Sequence, residues 1–374
     1  MLGPREVILH IGPPKTASTT IQRAIHAISP ALRTSGTRTS VDVYQELFRL
    51  YKSDLKGRRT SSAVKEFQRV ANSLLAQGAE RLIVSSEIMA WLDPESIECV
   101  LDAFGRDRVR VVFGIRSLAG MIPSIWQEQL KHQFKVDFTD WLEALFGELS
   151  PPGSKAEHQS TKNFEFGPAS SAAQFRAERF WHANDQGALA QRWSAALSSE
   201  RVTGFVVDSS RPRSTLENAG AALGLGDQLT LASIERENAS LGARSCETLL
   251  QLNRSADRRQ VPMRIRHMRS EVMVEYLSRN ADNSDRLKMP KSYESLVLAR
   301  QDQILASLRS EHTVVHGDLG ALTKNDLAAY GALSSDSFTS VPIVRSKLFA
   351  EFGRVFAKKV RRRVRRDEPA GHTS

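Results

Sequence analysis

The chain has 374 residues, 41% of them hydrophobic and 25% charged, with a formal net charge of +10; this composition fits a soluble globular protein of one large α/β domain or two modest ones. No apolar run approaches the ~18 residues of a membrane span, and the chain enters its first strand almost at once, which is read as the lack of a signal peptide or anchor. The charge is concentrated: ten Lys/Arg and one acid, Glu351, lie between positions 345 and 366, so the body is nearly neutral and excludes a nucleic-acid-binding surface spread over the fold.

Val7, Ile8, Leu9 and Ile11 form a short apolar run, which Gly12, Pro13 and Pro14 break. Ser18, Thr19 and Thr20 then open a helix continued by Ile21, Ala24, Ile25 and Ile28. A strand, tight loop and helix in this order aim backbone N–H groups and the positive helix end at one point suited to an anion, above all a phosphate. Lys15 adds a full charge, and Thr16, Ser18 and Thr19 add hydroxyls. The loop is not a Walker A motif, which ends in Gly-Lys-Ser/Thr. A βα turn with no ligand is the competing reading.

Residues 33–43 read as a turn and a short extended piece, and 44–78 as helical with a polar break at 52–61. Residues 81–86 form a second buried strand ending at Glu87, and Pro94 opens a helix to Phe104. Residues 108–115 are a third strand, followed by helices over 118–131 and 138–146. Residues 150–173 form the longest loop-like stretch. A helix over 187–197 leads to a fourth core strand over 201–207, and helices follow over 214–223, 244–256, 262–280 and 294–308. Residues 311–340 carry little signal. Strands alternating with helices predict a parallel sheet with helices on both faces. The expected organisation is one α/β domain over 1–340, with a helical cap formed by about 214–310. Over 345–366 Leu348, Phe349, Phe352, Val355, Phe356, Val360 and Val364 recur at helical spacing among Lys and Arg. This basic amphipathic helix suits either an anionic membrane surface or packing on its own domain. Cys99 and Cys246 lack metal-type spacing and read as reduced, buried thiols of a cytoplasmic protein.

The order Pro-Lys-Thr-Ala-Ser-Thr over 14–19 resembles the 5′-phosphosulfate loop of sulfotransferases that use 3′-phosphoadenosine 5′-phosphosulfate (PAPS), with Ala17 where that family usually has glycine. His10, Ile11 and Gly12 before it, and Ile21 and Gln22 after it, resemble the bacterial-type sulfotransferase-like branch. A second element agrees. Arg116 ends the third strand and Ser124 follows eight residues later in the next helix, the spacing with which these enzymes hold the 3′-phosphate. A guanidinium at a strand end grips phosphate bidentately. Alone, such an arginine is more often a surface ion-pair partner. The family often has Asp or Asn after this arginine, where the chain has Ser117. Weaker echoes are Trp126, Trp141, Leu142, the 189–193 stretch and the 237–241 stretch followed by a Leu-rich helix to Asn253, so the resemblance covers about residues 6–255.

The resemblance implies a P-loop NTPase-like sulfotransferase fold, an α/β central parallel sheet with a mostly helical C-terminal part. It implies transfer from PAPS to an acceptor hydroxyl, on a carbohydrate, glycoconjugate or lipid-linked acceptor, with adenosine 3′,5′-bisphosphate as product and no metal. Pro14, Lys15, Thr16, Ala17, Ser18, Thr19, Arg116 and Ser124 would hold the cofactor, with Lys15 neutralising charge on the leaving group. Glu87, at the C-terminal edge of the sheet, is the first candidate base; its other reading is a charge at the N-terminus of the 88–92 turn. His132 is the second candidate, or a plain surface histidine. His10 would orient the loop through a hydrogen bond, while Lys131 and His158 could touch an anionic acceptor or only solvent. The enzyme would be cytoplasmic, touching an anionic membrane through the tail and binding no specific nucleic acid. The alternatives are an atypical P-loop kinase or NTPase, and a non-catalytic relative that kept the fold.

Overall fold

A computed structural model describes residues 4–41, 43–55, 60–147, 169–232, 241–258, 263–279, 286–324 and 330–331. The expected tail helix over 345–366, the 237–240 stretch, His158 and most of the loop over 150–173 lie outside the described residues.

In chain order the elements are β1 (Glu6–His10), α1 (Ser18–Thr34), β2 (Thr37–Ser40), α2 (Tyr44–Leu55), α3 (Ser61–Leu75) and β3 (Arg81–Ser85). A 3₁₀ turn (Glu87–Trp91), α4 (Pro94–Phe104), β4 (Val109–Ile115), α5 (Leu118–Lys131), α6 (Phe138–Phe146), α7 (Ala169–Asn184) and α8 (Gln186–Ala196) follow. The chain continues through β5 (Val202–Val206), α9 (Pro212–Leu223), α10 (Ala243–Arg258), α11 (Met263–Arg279) and β6 (Met289–Pro290). It ends its described course in α12 (Glu294–Ser310), β7 (Val314–His316), α13 (Ala321–Lys324) and β8 (Tyr330–Gly331).

The expected α/β fold class is the one observed: six parallel strands in the order β2-β3-β1-β4-β5-β7, flanked by helices. Val7, Ile8, Leu9, Val111, Val112 and Phe113 are fully buried, because the central strands are covered on both faces. On one face Ile21, Ala24 and Ile25 of α1 join Ala219, Ala222 and Leu223 of α9 over Ile8, Ile83, Val112 and Phe205. β1 pairs with β3 on one side and β4 on the other. The strand order therefore reverses at β1, and its C-terminal end is the switch point where open α/β sheets bind ligands.

Helix starts are mostly written in the sequence. Thr60 caps α3, Asp93 caps α4 with Pro94 in the first turn, and Asp185 caps α8, each accepting a hydrogen bond from the backbone three residues on. The extended piece expected over 33–43 is β2, an edge strand. Two elements depart from the sequence reading. α7 starts at Ala169, inside the expected loop, and β7 lies in the stretch read as carrying little signal. β7 has only three residues and, among the described residues, pairs on one side only, with β5, so its sequence has no long apolar run to show.

The chain divides into two compact units, one of residues 1–121, 141–235 and 292–329, the other of 122–140, 236–291 and 330–374. The helical region expected over 214–310 thus splits: α9 and α12 belong with the sheet, and α10 and α11 to the second unit. In the second unit Asn253 closes the end of α5 by donating from Nδ2 to the Leu130 and Phe134 carbonyls, at 2.9 and 3.0 Å. Arg254 does the same for Lys135 and meets Asp137 at 3.2 Å, while Ser270 donates to the Lys131 carbonyl. Cys99 is half-buried, Cys246 is buried, and both remain thiols.

Candidate functional site

The loop after β1 turns on two residues with left-handed backbone, Lys15 (φ 67°) and Ala17 (φ 64°), with Thr16 at negative φ between them. This alternation is the backbone pattern of an anion-binding nest, although the middle amide, Thr16 N–H, is turned to the Pro13 carbonyl at 3.2 Å. It runs into α1 without interruption, since Ala17 is the N-cap residue and gives α1 no side-chain cap. The first N–H groups of that helix have no partner within it and point outward at the loop mouth. Ala therefore occupies a position that requires positive φ, the case in which it costs stability relative to glycine.

Thr16 is fully buried and faces down, away from the mouth. Its hydroxyl donates to the Pro13 carbonyl at 2.6 Å, closing the loop on itself. Gly114 in β4 makes room for it, since a Cβ there would lie 2.8 Å from the Thr16 Cβ. Ser18 is buried, and its Oγ has no hydrogen-bond partner among the described residues. Thr19 is exposed, while Pro14 and Lys15 are half-buried.

Beneath the loop lies His10, fully buried. Gln22 Nε2 donates to Ser85 Oγ at 3.0 Å, and Ser85 Oγ lies 2.7 Å from His10 Nδ1. With one hydrogen and two acceptor lone pairs, the Ser85 hydroxyl can accept from Gln22 and either donate to Nδ1 or accept from it, according to the ring tautomer. Burial pushes the imidazole pKa down to about 4, so the ring is neutral. His10 Nε2, like Ser18 Oγ, is buried without a partner among the described residues. Both border Gly12: a Cβ there would lie 2.4 Å from Ser18 Oγ and 3.2 Å from His10 Nε2. Any other residue at position 12 would fill the floor of the loop.

Arg116 follows the last residue of β4, the strand beside β1. Its Nη1 donates to the Lys15 carbonyl at 2.7 Å. The structure thus brings two of the expected cationic residues together across a hundred positions of sequence. The guanidinium lies over Gly120, where a Cβ would come within 3.4 Å of Nη2. On the other side of β1, the Ser86 amide donates to the His10 carbonyl at 3.0 Å, and Ser86 Oγ caps the 3₁₀ turn that Glu87 begins. Glu87 therefore stands at the same edge of the sheet as the loop, half-buried.

The remaining candidates belong to the second unit. Ser124 is half-buried on α5. The His132 side chain is 69% exposed and lies 3.5 Å from Glu128, which also takes Lys131 at 3.1 Å. Lys131 thus pairs with Glu128 on the helix surface, and His132 stands beside the same carboxylate. Among the described residues no group of three or more His, Cys, Asp or Glu is placed to hold a metal ion, and no helix is long and apolar enough to cross a membrane.

Sequence reading missed the inward turn of Thr16 and the Ser85–Gln22 support of His10. A readable signal for the first was Gly114, a glycine inside an otherwise apolar strand, which marks close backbone or side-chain approach.

No protein-family model matches the chain, and no curated protein matches it. Among solved structures it is similar to a sulfotransferase from Alicyclobacillus acidocaldarius, at 12% identity over 67% of this chain and 92% of that one, with a TM-score of 0.35.

Proposed function

We propose that the chain is a sulfotransferase that uses PAPS and acts on a hydroxyl of a carbohydrate or glycoconjugate acceptor. The observation that carries this reading is the loop itself. An uncapped helix end and a nest of amides open beside Lys15, and Arg116 clasps the same loop from the neighbouring strand. The Arg116 guanidinium reaches the loop that carries Lys15 and leads into a helix N-terminus, a combination that suits a ligand with more than one anionic group. The order Pro-Lys-Thr-Ala-Ser-Thr and the Arg116–Ser124 spacing select PAPS among such ligands, and the acceptor class follows from the resemblance alone.

When bound, PAPS supplies an activated sulfuryl group and leaves as adenosine 3′,5′-bisphosphate. The residues' own tasks follow from their chemistry. The loop amides and the Ser18 and Thr19 hydroxyls would hold the 5′-phosphate. Lys15 would neutralise charge that grows on the leaving oxygen, a contribution that matters most at the transition state. Arg116 would bind the 3′-phosphate through its guanidinium. Glu87 would accept the proton of the acceptor hydroxyl.

The test is calorimetric titration of adenosine 3′,5′-bisphosphate and of ATP with Mg²⁺ into wild type, Lys15→Ala and Arg116→Ala. Micromolar binding of the bisphosphate, lost in both variants and absent for ATP, is the expected result. Preference for ATP with Mg²⁺ would transfer the chain to the kinase or NTPase reading. Bisphosphate binding without transfer to any hydroxyl acceptor would mark a non-catalytic relative.

A further inference from the structure

The turn that carries Arg116 is held at both ends by buried amides from outside it. Gln186, the first residue of α8 and 0% exposed, donates from Nε2 to the Arg116 carbonyl at 3.2 Å. Gln301, in the middle of α12 and 1% exposed, accepts through Oε1 from the Leu118 amide at 2.9 Å. Leu118 opens α5, and its N–H is one of those that helix geometry leaves without a partner. Ser117 stands where a cap would come from, yet its Oγ is buried with no partner among the described residues. The cap is supplied from 183 residues downstream instead.

The two glutamines are delivered together. α8 and α12 approach closely at Gly187, where a Cβ would lie 2.8 Å from the Ser307 Cβ and 3.2 Å from the Ile304 carbonyl oxygen. Asp185 and Arg300, the residues just before the two glutamines, form a partly buried ion pair at 2.7 Å. One helix pair therefore fixes both ends of the turn. From its first residue the Arg116 side chain departs toward the Lys15 carbonyl.

We propose that Gln186 and Gln301 are positioning residues that fix the 116–118 turn and so aim the Arg116 guanidinium at the anion held by the β1–α1 loop. Neither would touch the ligand. The inference rests on the reading that this loop binds adenosine 3′,5′-bisphosphate.

Each amide also carries a buried atom with no partner among the described residues, Oε1 of Gln186 and Nε2 of Gln301. Replacement by methionine, which has nearly the same shape, removes that unmet atom, which offsets part of the cost of leaving the Arg116 carbonyl or the Leu118 N–H without its partner. Gln186→Met and Gln301→Met are thus expected to fold.

The test is a double-mutant cycle on bisphosphate affinity, with urea midpoints measured alongside. Each methionine variant is made in wild type and in Arg116→Lys, which keeps the charge and loses the planar fork. The expected result is roughly tenfold weaker binding in the wild-type background and less than about twofold in Arg116→Lys, with the same change in urea midpoint in both. A purely structural role would lower affinity equally in both backgrounds, and that result overturns the proposal while leaving the site intact. Absence of bisphosphate binding by the wild type would instead remove the site reading, and this inference with it. Should Gln186→Met not fold, Gln301→Met runs the same cycle alone.

Discussion

Replacing Ala17 with glycine is expected to stabilise the protein. Ala17 sits at φ 64°, ψ 15°, a conformation in which its Cβ crowds the backbone. For an L-residue that costs about 1–2 kcal/mol, which glycine does not incur. Two terms oppose the gain. Glycine frees the unfolded chain at a cost of about 0.4–1 kcal/mol. The methyl of Ala17 is partly buried against the core under α1, and its loss costs about half of the ~0.8 kcal/mol of a fully buried methylene. At the midpoints of these ranges the balance is a net gain of about 0.4 kcal/mol, small but opposite in sign to an ordinary Ala→Gly change in a helix. The assay is urea denaturation of wild type, Ala17→Gly and Ala24→Gly. Ala24 is fully buried within α1 and serves as the ordinary case, expected to lose about 1 kcal/mol or more. Because the loop backbone is unchanged, bisphosphate affinity should stay within about twofold. If Ala17→Gly lowers the midpoint as Ala24→Gly does, position 17 is not left-handed in solution, and the nest geometry falls with it.

Gly114→Ala should disrupt the loop from below, because the new methyl would meet the Thr16 Cβ at 2.8 Å; overpacking of about 1–3 kcal/mol and a fall in bisphosphate affinity are expected by denaturation and calorimetry. His10 is neutral in the fold at a pKa of about 4 against 6.5 when exposed, so the unfolded chain binds the extra proton and stability is lost as pH falls from about 6.5 toward 4. His182, lowered to about 3 by burial and by the nearby Arg192, adds to the same loss, and urea midpoints between pH 7 and 5 should fall less steeply in His10→Gln than in wild type. Glu87→Gln should slow transfer by about a hundredfold or more while bisphosphate affinity holds within about twofold, and His132→Ala should do neither; the reverse pattern in a coupled transfer assay would move the base to His132.

The parts of this molecule that declare themselves in sequence are those made from contiguous residues. The runs from Val7 to Ile11 and from Val109 to Ile115 are apolar except for His10 and Arg110 because both faces are covered, and Asp93-Pro94 announces α4 through local capping chemistry. Lys15 and Arg116 could be picked out separately, since a cation beside a βα turn and another at a strand end each have a stated use. Their meeting through the Lys15 carbonyl depends on β1 and β4 being neighbours, which no local pattern encodes. β7 and the start of α7 were illegible for a related reason, since short or polar segments take their conformation from what they pack against. Gln186 and Gln301 look like surface residues in any window of sequence. Their burial follows from the helix contact at Gly187.

The position of β7 also bears on how the protein is made. Residues 292–329 complete the sheet unit, but they are synthesised only after the chain has passed through residues 236–291 of the other unit. Until then β5, whose Thr203, Gly204 and Phe205 pair with β7, is an open edge on the growing chain, and the start of α5 lacks its partner Gln301. A nascent or truncated polypeptide ending near residue 290 would present an apolar strand edge to its neighbours and would be a client for chaperones and a seed for aggregation. Release of the last fifth of the chain from the ribosome would therefore be the step that both seals that edge and sets the Arg116 turn.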